Sequence, residues 1–453
     1  MTADLPTTGL PSADLLTVAP LDLVSARTPG GQLLTAVHVP GARSVEIRLS
    51  VAMPRLDDSD SAHAEVLGRC LLAAPGTARR VGLLGGQVSA GADPRRLTVA
   101  ASCTVDGWST TLGLLVGALA DPRATPDAVR LASGATARAA MRALASPGMV
   151  ARGALHGMLW GDRAPSRFDV PSPAALGGVS AASVTAFAQR RLAGAHVSVV
   201  VGGPSLPRVA WETAASALGT WSTSATRAEP ADLPPPGAPG TTVVEGTAPG
   251  RAALRLMLRS PGREHPGYPA ARLSAAVLAG GPASRLSRSL RDELGLVYGV
   301  NHSTETVARE VFDVVDLELR ERDVDTAREA LADALRPPPT DDEVRRVRRR
   351  VLGTQLVGRS SLAATVGSVA DLVADGLGPT WLDDHAAAVA ALPAGAVQAD
   401  AAVRLEPDAG WCAVVTPTRP RRPDAPPAPP ASPAPPSRPR TTPDSTTSTG
   451  GPA

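Results

Sequence analysis

Lysine is absent from this sequence of 453 residues, and all 45 basic residues are arginine. Isoleucine and asparagine are nearly absent too, with Ile47 and Asn301 as single examples. We interpret the bias as codon usage in a GC-rich genome. A chain without lysine can form neither a Schiff base with a carbonyl substrate nor the lysine contact of a Walker-A phosphate loop, so both kinds of site are excluded.

Cysteine is scarce, and the charges nearly balance. Cys70, Cys103 and Cys412 have no C-x-x-C spacing, so we expect buried thiols rather than disulfide or metal partners. The formal net charge of +2 gives no reason to expect a nucleic-acid partner. The sequence shows no long apolar run and no signal-peptide pattern, so we expect a cytoplasmic chain without a membrane partner.

The hydropathy pattern divides the chain into two units of similar element order. Residues 1–205 alternate strand-like segments with Ala-rich helices, one of which is predicted over 126–160. Residues 241–416 repeat that order after a Pro-rich linker at 225–240. Residues 417–453 are rich in Pro, Ala and Ser, a composition that predicts disorder.

The segment AGGPASRLSRSLRDELGLVYGV (279–300) is the strongest local motif. Gly280 and Gly281 permit a tight turn, Ser284 can cap a helix, and the residues after it have helical periodicity. A Gly-rich turn before a helix could also cradle a phosphate. Because the chain has neither a lysine nor a P-loop pattern, we do not favour a phosphate site.

This segment resembles the second-lobe motif of the insulinase and mitochondrial-processing-peptidase family. There a Gly-rich turn leads into Ser-Arg-Leu, Leu-Arg-Glu and Gly-Leu-x-Tyr, which correspond here to residues 284–286, 290–292 and 295–298. The flanking segments 251–281 and 340–356 match in order, as does the first lobe. The resemblance implies an α+β fold of two homologous lobes, each an antiparallel-rich sheet packed with helices.

Active members of that family carry H-x-x-E-H on a first-lobe helix. Its two histidines bind Zn²⁺, and its glutamate deprotonates the zinc-bound water. The segment LLAAPGT (71–77) resembles the one that follows this motif. The register places Leu67, Cys70 and Leu71 where the first histidine, the glutamate and the second histidine would stand.

The family's third zinc ligand, a glutamate on a later helix, is also missing. Its position falls near residues 138–140, yet no glutamate occurs between Glu65 and Glu212. No two of the 7 histidines are spaced i, i+4. The resemblance therefore implies a non-catalytic chain that holds no cofactor, with zinc expected in a partner subunit.

An unusual set of zinc ligands is an alternative that these residues leave open. His63 and Cys70 share a helical face, and Cys103 or His156 could complete a site. Seven residues, however, span about 10 Å along a helix, too far for ligands that lie about 2 Å from one ion. We therefore favour a surface role for His63 and a core role for Cys70.

Other functional patterns are weak. The sequence has no G-x-S-x-G elbow that would order a serine triad. The arginines within 345–350 would spread around an exposed helix, while Val344, Val347 and Val351 face inward. We therefore predict a solvated helix face there rather than a nucleic-acid interface.

The resemblance implies that this chain is the zinc-free half of a clamshell-shaped peptidase. We expect a heterodimer with a zinc-bearing paralogue, in which this chain forms chamber wall and binds an extended peptide or precursor segment. A structural scaffold with the same fold is the alternative from another class. A self-sufficient metallopeptidase with unusual ligands is the third hypothesis.

The resemblance also names candidate substrate-binding residues. Peptides add to a sheet edge in this family, and the matching edge strand includes Gln87, Val88, Ser89 and Ala90. In the second lobe, Arg285 and Tyr298 are candidates, and residues 300–311 would lie toward the chamber. Arg285 and Tyr298 could equally hold the lobe together.

Overall fold

A computed structural model describes residues 18–73, 76–219, 221–224, 233–246, 250–406 and 408–417. Strands β1–β11 and helices α1–α14 alternate along these residues. The strands are β1 Asp22–Arg27, β2 Leu33–His38, β3 Ser44–Ala52, β4 Gln87–Ala92, β5 Arg96–Thr104, β6 Val197–Gly203, β7 Gly240–Glu245, β8 Ala252–Ser260, β9 Asn301–Val307, β10 Glu310–Leu319 and β11 Trp411–Thr416. The helices are α1 Asp58–Cys70, α2 Thr77–Leu83, α3 Trp108–Ala120, α4 Pro126–Leu144, α5 Pro147–Trp160, α6 Pro173–Gly177, α7 Ala181–Leu192, α8 Pro207–Leu218, α9 Tyr268–Ala279, α10 Val324–Leu335, α11 Asp341–Arg359, α12 Leu362–Ala374, α13 Trp381–Ala391 and α14 Ala394–Arg404.

The first six strands form one sheet in the order β1-β2-β6-β3-β5-β4. β2 and β6 run parallel, and the other neighbouring pairs are antiparallel. Because side chains alternate between the two faces of a strand, the apolar residues of one face form a core with α1, α3, α7 and α8. β4 lies at the sheet edge, where β5 is its neighbour.

The second sheet repeats this plan in the order β7-β11-β8-β10-β9. β7 and β11 run parallel, as β2 and β6 do, and the remaining pairs are antiparallel. β9 therefore takes the edge position that β4 has in the first sheet. The predicted α+β fold of two homologous lobes, each an antiparallel-rich sheet packed with helices, is confirmed.

Each sheet also receives one helix from the other half of the chain. α5 packs on the second sheet, where Leu155 and Trp160 are buried against Phe312. α12 packs on the first sheet, and its Val366 lies so close to Gly202 of β6 that a Cβ there would be 2.2 Å from the valine. The two lobes are therefore interlocked, and residues up to 418 form one compact unit.

The predicted helix over 126–160 is wrong in one respect, because it is two helices. α4 ends at Leu144 and α5 begins at Pro147. Proline has no backbone N–H to donate and clashes with the preceding turn, so it is tolerated at the start of a helix but not inside one. The break lets α5 leave the first lobe and reach the second sheet.

The first lobe continues past residue 205 in the structure. α8 packs over β1 and β2, and the backbone N–H of Thr223 donates to the carbonyl of Gly30 at 2.8 Å. Half of the predicted linker at 225–240, residues 225–232, and nearly all of the predicted disordered tail at 417–453 lie outside the described residues. The lobe boundaries stay predictions.

The three thiols are free within the described part of the chain. Burial raises the pKa of Cys70, Cys103 and Cys412 to about 11, so each is a protonated thiol near neutral pH.

In the described ranges, no single helix is long and apolar enough to cross a membrane. The bent helix pairs 341–374 and 381–404 do pass that test of length and composition when the two helices of each pair are taken together.

Candidate functional site

The first-lobe helix α1 holds apolar side chains where the family's zinc motif would stand. Leu67, Cys70 and Leu71 are buried in the core of the first lobe. The crevice that they share with residues 122–124 and α7 has no room for a water-sized sphere. A cation placed there would meet hydrocarbon and a protonated thiol, which do not replace its hydration shell.

Helix α4 still packs against α1, as a zinc site built from two helices would require. Near the expected third ligand, Thr136 is buried and Arg138 is exposed, and neither supplies a carboxylate. Across the ranges that the structure describes, no three His, Cys, Asp or Glu side chains cluster closely enough to hold a metal ion. The residues present do not fit zinc.

The residues considered for an unusual zinc site lie in separate environments. His63 stacks on Phe187, and its Nε2 lies 3.0 Å from the hydroxyl of Ser183. Cys103 contacts the carbonyl of Val45 at 3.5 Å inside the first core. His156 belongs to α5 and is buried against the second sheet. The structure does not bring these candidates together.

The predicted edge strand is β4. Gln87 and Ser89 point their side chains to solvent, while Val88 and Ala90 pack partly against the core under α1. Helix α1 touches this strand at Gly68, where an added Cβ would lie 2.9 Å from a β4 backbone nitrogen. Glycine therefore allows α1 to support the strand directly, and the other edge of β4 is not covered by a described strand.

The Gly-rich turn of the second-lobe motif has a physical requirement for glycine. Gly281 has φ +125°, which favours glycine, and an added Cβ would lie 2.3 Å from the guanidinium of Arg350 on α11. The predicted helix after Ser284 is a π-helix over Ser287–Glu293, in which the N–H of Leu294 donates to the carbonyl of Ser289 at 2.9 Å. Sequence periodicity alone predicted an ordinary helix.

Arg285 is engaged within its own lobe. Its Nε and Nη2 donate to the Glu343 carboxylate at 2.8 and 2.7 Å, and Nη1 and Nη2 also donate to the carbonyls of Ala334 and Pro338. Burial would raise the pKa of Glu343, but the Arg285 bond and the Thr340 backbone N–H lower it to about 2. These contacts agree with the lobe-stabilising interpretation, and a role for Arg285 toward a peptide stays a prediction.

Tyr298 lies on the loop after the π-helix with its side chain fully exposed, at 101% of the reference area. The residues that follow it form β9, the edge strand of the second sheet. The sequence pattern does not predict β9 as a strand, because NHSTETV is polar apart from its last residue. The structure thus presents an exposed aromatic ring beside a second sheet edge.

The structure contains a buried ionic cluster that the sequence motifs do not predict. Glu305 of β9 accepts hydrogen bonds from Arg152 of α5 at 2.9 Å and from Arg255 of β8 at 2.7 Å. Its carboxylate also lies 3.1 Å from Nε2 of His156, and Arg255 bonds Asp316 of β10 at 2.8 Å. The cluster therefore links α5 to the three strands β8, β9 and β10. Charged residues inside otherwise apolar strands were the available signal.

The charges in this cluster are fixed by their contacts. Burial alone would raise the pKa of the Glu305 carboxyl, but His156, Arg152 and Arg255 lower it well below its ordinary value. Burial lowers the pKa of His156, so the ring is neutral near pH 7. Because Glu305 faces Arg152 and Arg255, and Arg255 also faces Asp316, we interpret the cluster as a structural junction.

Comparisons with known proteins agree with this description. A family profile described as the peptidase M16 inactive domain matches residues 178–351. A peptidase M16 inactive domain from Pseudomonas fluorescens has 19% identity and a TM-score of 0.74, over 88% of this chain and 98% of that chain. The periplasmic protease PqqL from Escherichia coli has 14% identity and a TM-score of 0.69, over 89% of this chain and 48% of that chain. A chain of complex III2 from Candida albicans has 13% identity and a TM-score of 0.69, over 87% and 95%. No protein with a curated description matches the sequence.

The fold and the apolar zinc position define a peptidase frame without metal-binding residues. Residues 178–351 match the profile of the peptidase M16 inactive domain, so the recognition made from residues 279–300 is confirmed. The structural likenesses named above are below 20% identity and support the fold. The profile does not include the zinc position on α1, where the apolar residues are the observation that bears on activity.

Proposed function

We propose that this chain is the non-catalytic subunit of an M16 peptidase, which binds an extended peptide along β4 and forms the chamber wall opposite a zinc-bearing paralogue. One observation carries the proposal. Helix α1 still supports an edge strand that no described strand covers, while the zinc position on the same helix is filled by Leu67, Cys70 and Leu71. A fold that keeps the edge strand but has lost the zinc ligands supports a role in peptide binding rather than in peptide cleavage.

Edge-strand binding gives affinity without strong sequence preference. Backbone N–H and C=O groups at a sheet edge pair with an added strand, and side-chain pockets add selectivity. The exposed β4 side chains, Gln87 and Ser89, are small or neutral, so they place few demands on a peptide. Tyr298 could add one aromatic contact from the second lobe.

The relative lengths of similar proteins support a two-subunit unit. PqqL is about twice as long as the part of it that this chain matches, since 48% of that chain is covered. A longer protease in which this fold accounts for about half of the length supports the proposal that this chain works beside a second part. The zinc would then belong to the other half, because this chain lacks carboxylate and imidazole ligands at the site.

The test first asks whether a neighbouring gene encodes an M16 protein with the H-x-x-E-H motif, and then combines that protein with this chain. Zinc analysis should find no stoichiometric metal in this chain alone, and peptidase activity should appear or rise at least about tenfold in the mixture. Stoichiometric zinc that is lost on Cys70→Ala would overturn the proposal. So would full activity of the paralogue alone.

A matched pair of proline variants tests the β4 edge. Neighbouring residues of a strand point their N–H groups in opposite directions, so Ser89→Pro and Ala90→Pro remove one inward and one outward donor. The variant that keeps the parental melting temperature has lost the outward group, and it should bind an extended peptide at least about tenfold more weakly. Unchanged peptide binding in that variant would contradict the proposed edge.

A scaffold subunit is a second candidate that one comparison favours. A chain of complex III2 from Candida albicans has this fold over 87% of the present chain. A scaffold would co-purify in a stable complex, and the β4 variants would change neither assembly nor proteolysis. Loss of peptidase activity in the β4 variant with assembly intact would exclude the scaffold.

A further inference from the structure

The two lobes differ at the face that α8 covers in the first lobe. α8 follows β6 and packs over β1 and β2 alongside α3. Its Ala214 and Leu218 are buried, and the indole N–H of Trp211 donates to the carbonyl of Leu34 at 3.1 Å. Leu34 is 0% exposed as a result.

Among the residues that the structure describes, the second lobe has no helix over the corresponding face. β7 pairs with β11 as β2 pairs with β6, and α10 lies where α3 lies in the first lobe. No helix in the described ranges follows β11 to cover this face. Thr241 is therefore exposed, and Val243, two residues along the same face of β7, is 63% exposed.

The open face forms a groove of about 720 Å³. Leu254 and Leu256 of β8, which are 1% and 3% exposed, lie at its base beside the half-buried Cys412 of β11, and α10 forms the wall. The comparison with α3 is informative, because α3 has no charged residue whereas α10 carries several. A permanently covered face needs no charges, but a face exposed between binding events does.

The rim of the groove is predominantly acidic. Four carboxylates and two guanidinium groups line it, and one guanidinium, that of Arg336, is already paired with Asp333. The other lining charges make no ion pair with a described residue; they are Asp325, Arg328, Glu329 and Asp408. A ligand with positive charge beside an apolar face would complement this surface.

We propose that this groove docks one amphipathic helix of a partner protein, with its apolar face on β7, β8 and β11 and arginine or lysine on its flanks. The first lobe supplies the reason for a helix, since α8 fills the matching position with 12 residues. The acidic rim supplies the reason for basic flanks. The site lies on the second sheet and does not depend on peptide binding at β4.

The test uses Cys412 as a natural reporter. Cys70 and Cys103 are buried, so slow labelling of the native chain by a maleimide reports mainly on Cys412. The probe is a synthetic helix of about four turns with a Leu/Ala face and arginine flanks. Two matched controls are the same helix with glutamate flanks and the same helix interrupted by proline.

The arginine-flanked helix should slow labelling of Cys412 at least about tenfold at saturation, and the two controls should not. Val243→Arg should abolish this protection, whereas Leu83→Arg, an exposed change elsewhere, should not. Asp325→Asn with Glu329→Gln should remove the preference for arginine over glutamate flanks.

Four results would overturn the proposal. They are equal protection by both charge types, protection retained in Val243→Arg, Cys412 already protected in the dilute monomer, and protection that rises with protein concentration because a second copy covers the groove. Each of these readouts is independent of peptidase activity, so failure here is distinguishable from failure of the β4 proposal.

Discussion

Replacement of the Glu305 carboxylate is the substitution that best tests the junction between the lobes. Its side chain is 13% exposed and accepts charge-assisted hydrogen bonds from Arg152 and Arg255. Arg152 bonds Oε1 and Arg255 bonds Oε2, so in Glu305→Gln one bond keeps a neutral acceptor and the other meets the amide NH2 and is lost. The loss of charge costs about 1 kcal/mol in the first bond, and the loss of the second bond costs about 1.5–2 kcal/mol. Each arginine retains one other carboxylate, so the full penalty of an unpaired buried charge does not apply.

We therefore expect Glu305→Gln to lower the free energy of unfolding by about 2–3 kcal/mol, and Glu305→Ala by about 4 kcal/mol because it also leaves a cavity. The control is Glu318→Gln, whose pair with Arg251 is more than half exposed and should contribute less than about 1 kcal/mol.

Urea unfolding followed by circular dichroism and by tryptophan fluorescence measures these differences as shifts of the midpoint at constant slope. Coincident transitions would validate the two-state treatment. If Glu305→Gln and Glu318→Gln shift the midpoint equally, the buried cluster is not what holds α5 on the second sheet.

Two further predictions concern aromatic residues. Trp160→Ala should cost about 3–5 kcal/mol, because the indole is buried edge-on against Phe312; a loss below about 1 kcal/mol would show that α5 is loosely held. Burial, with nearby Arg272 and Arg263, lowers the pKa of His385 from 6.5 to about 4. Between these values the unfolded chain binds a proton that the folded chain does not, so stability falls as pH falls from 6.5 toward 4. His385→Phe keeps the stack on Trp381 and should remove up to about 3 kcal/mol of that loss, measured by urea midpoints against pH; parallel pH profiles would contradict the assignment.

Local patterns in the sequence were sufficient for most elements. The helical period of residues 268–279 agrees with α9, and the alternating segment VFDVVDLELR lies within β10 and the residue after it, because period and turn residues are encoded locally. The register of LLAAPGT also placed Leu67, Cys70 and Leu71 together, and in the structure Leu67 and Cys70 lie on α1 while Leu71 is its C-cap.

Long-range partners could not be read in this way. The apolar periodicity of α5 shows that Leu155 is buried but not against which sheet. Arg152 and Glu305 are 153 residues apart, and nothing local pairs them. Arg285 illustrates the same limit, since its motif position allowed two roles and only the contacts with Glu343 distinguish what it touches. Pairing across the fold is a property of topology rather than of any short segment.

α5 of the first half packs on the second sheet, and α12 of the second half packs on the first sheet, so each half of the chain holds the other. Each half provides a helix without which the other half would expose an apolar sheet face, so a cut between the lobes would leave two fragments that still hold each other. Pulling the lobes apart would unpack both cores at once. This chain is therefore expected to move as one body. In the proposed two-subunit peptidase, the opening that admits a peptide would form between this chain and the second subunit.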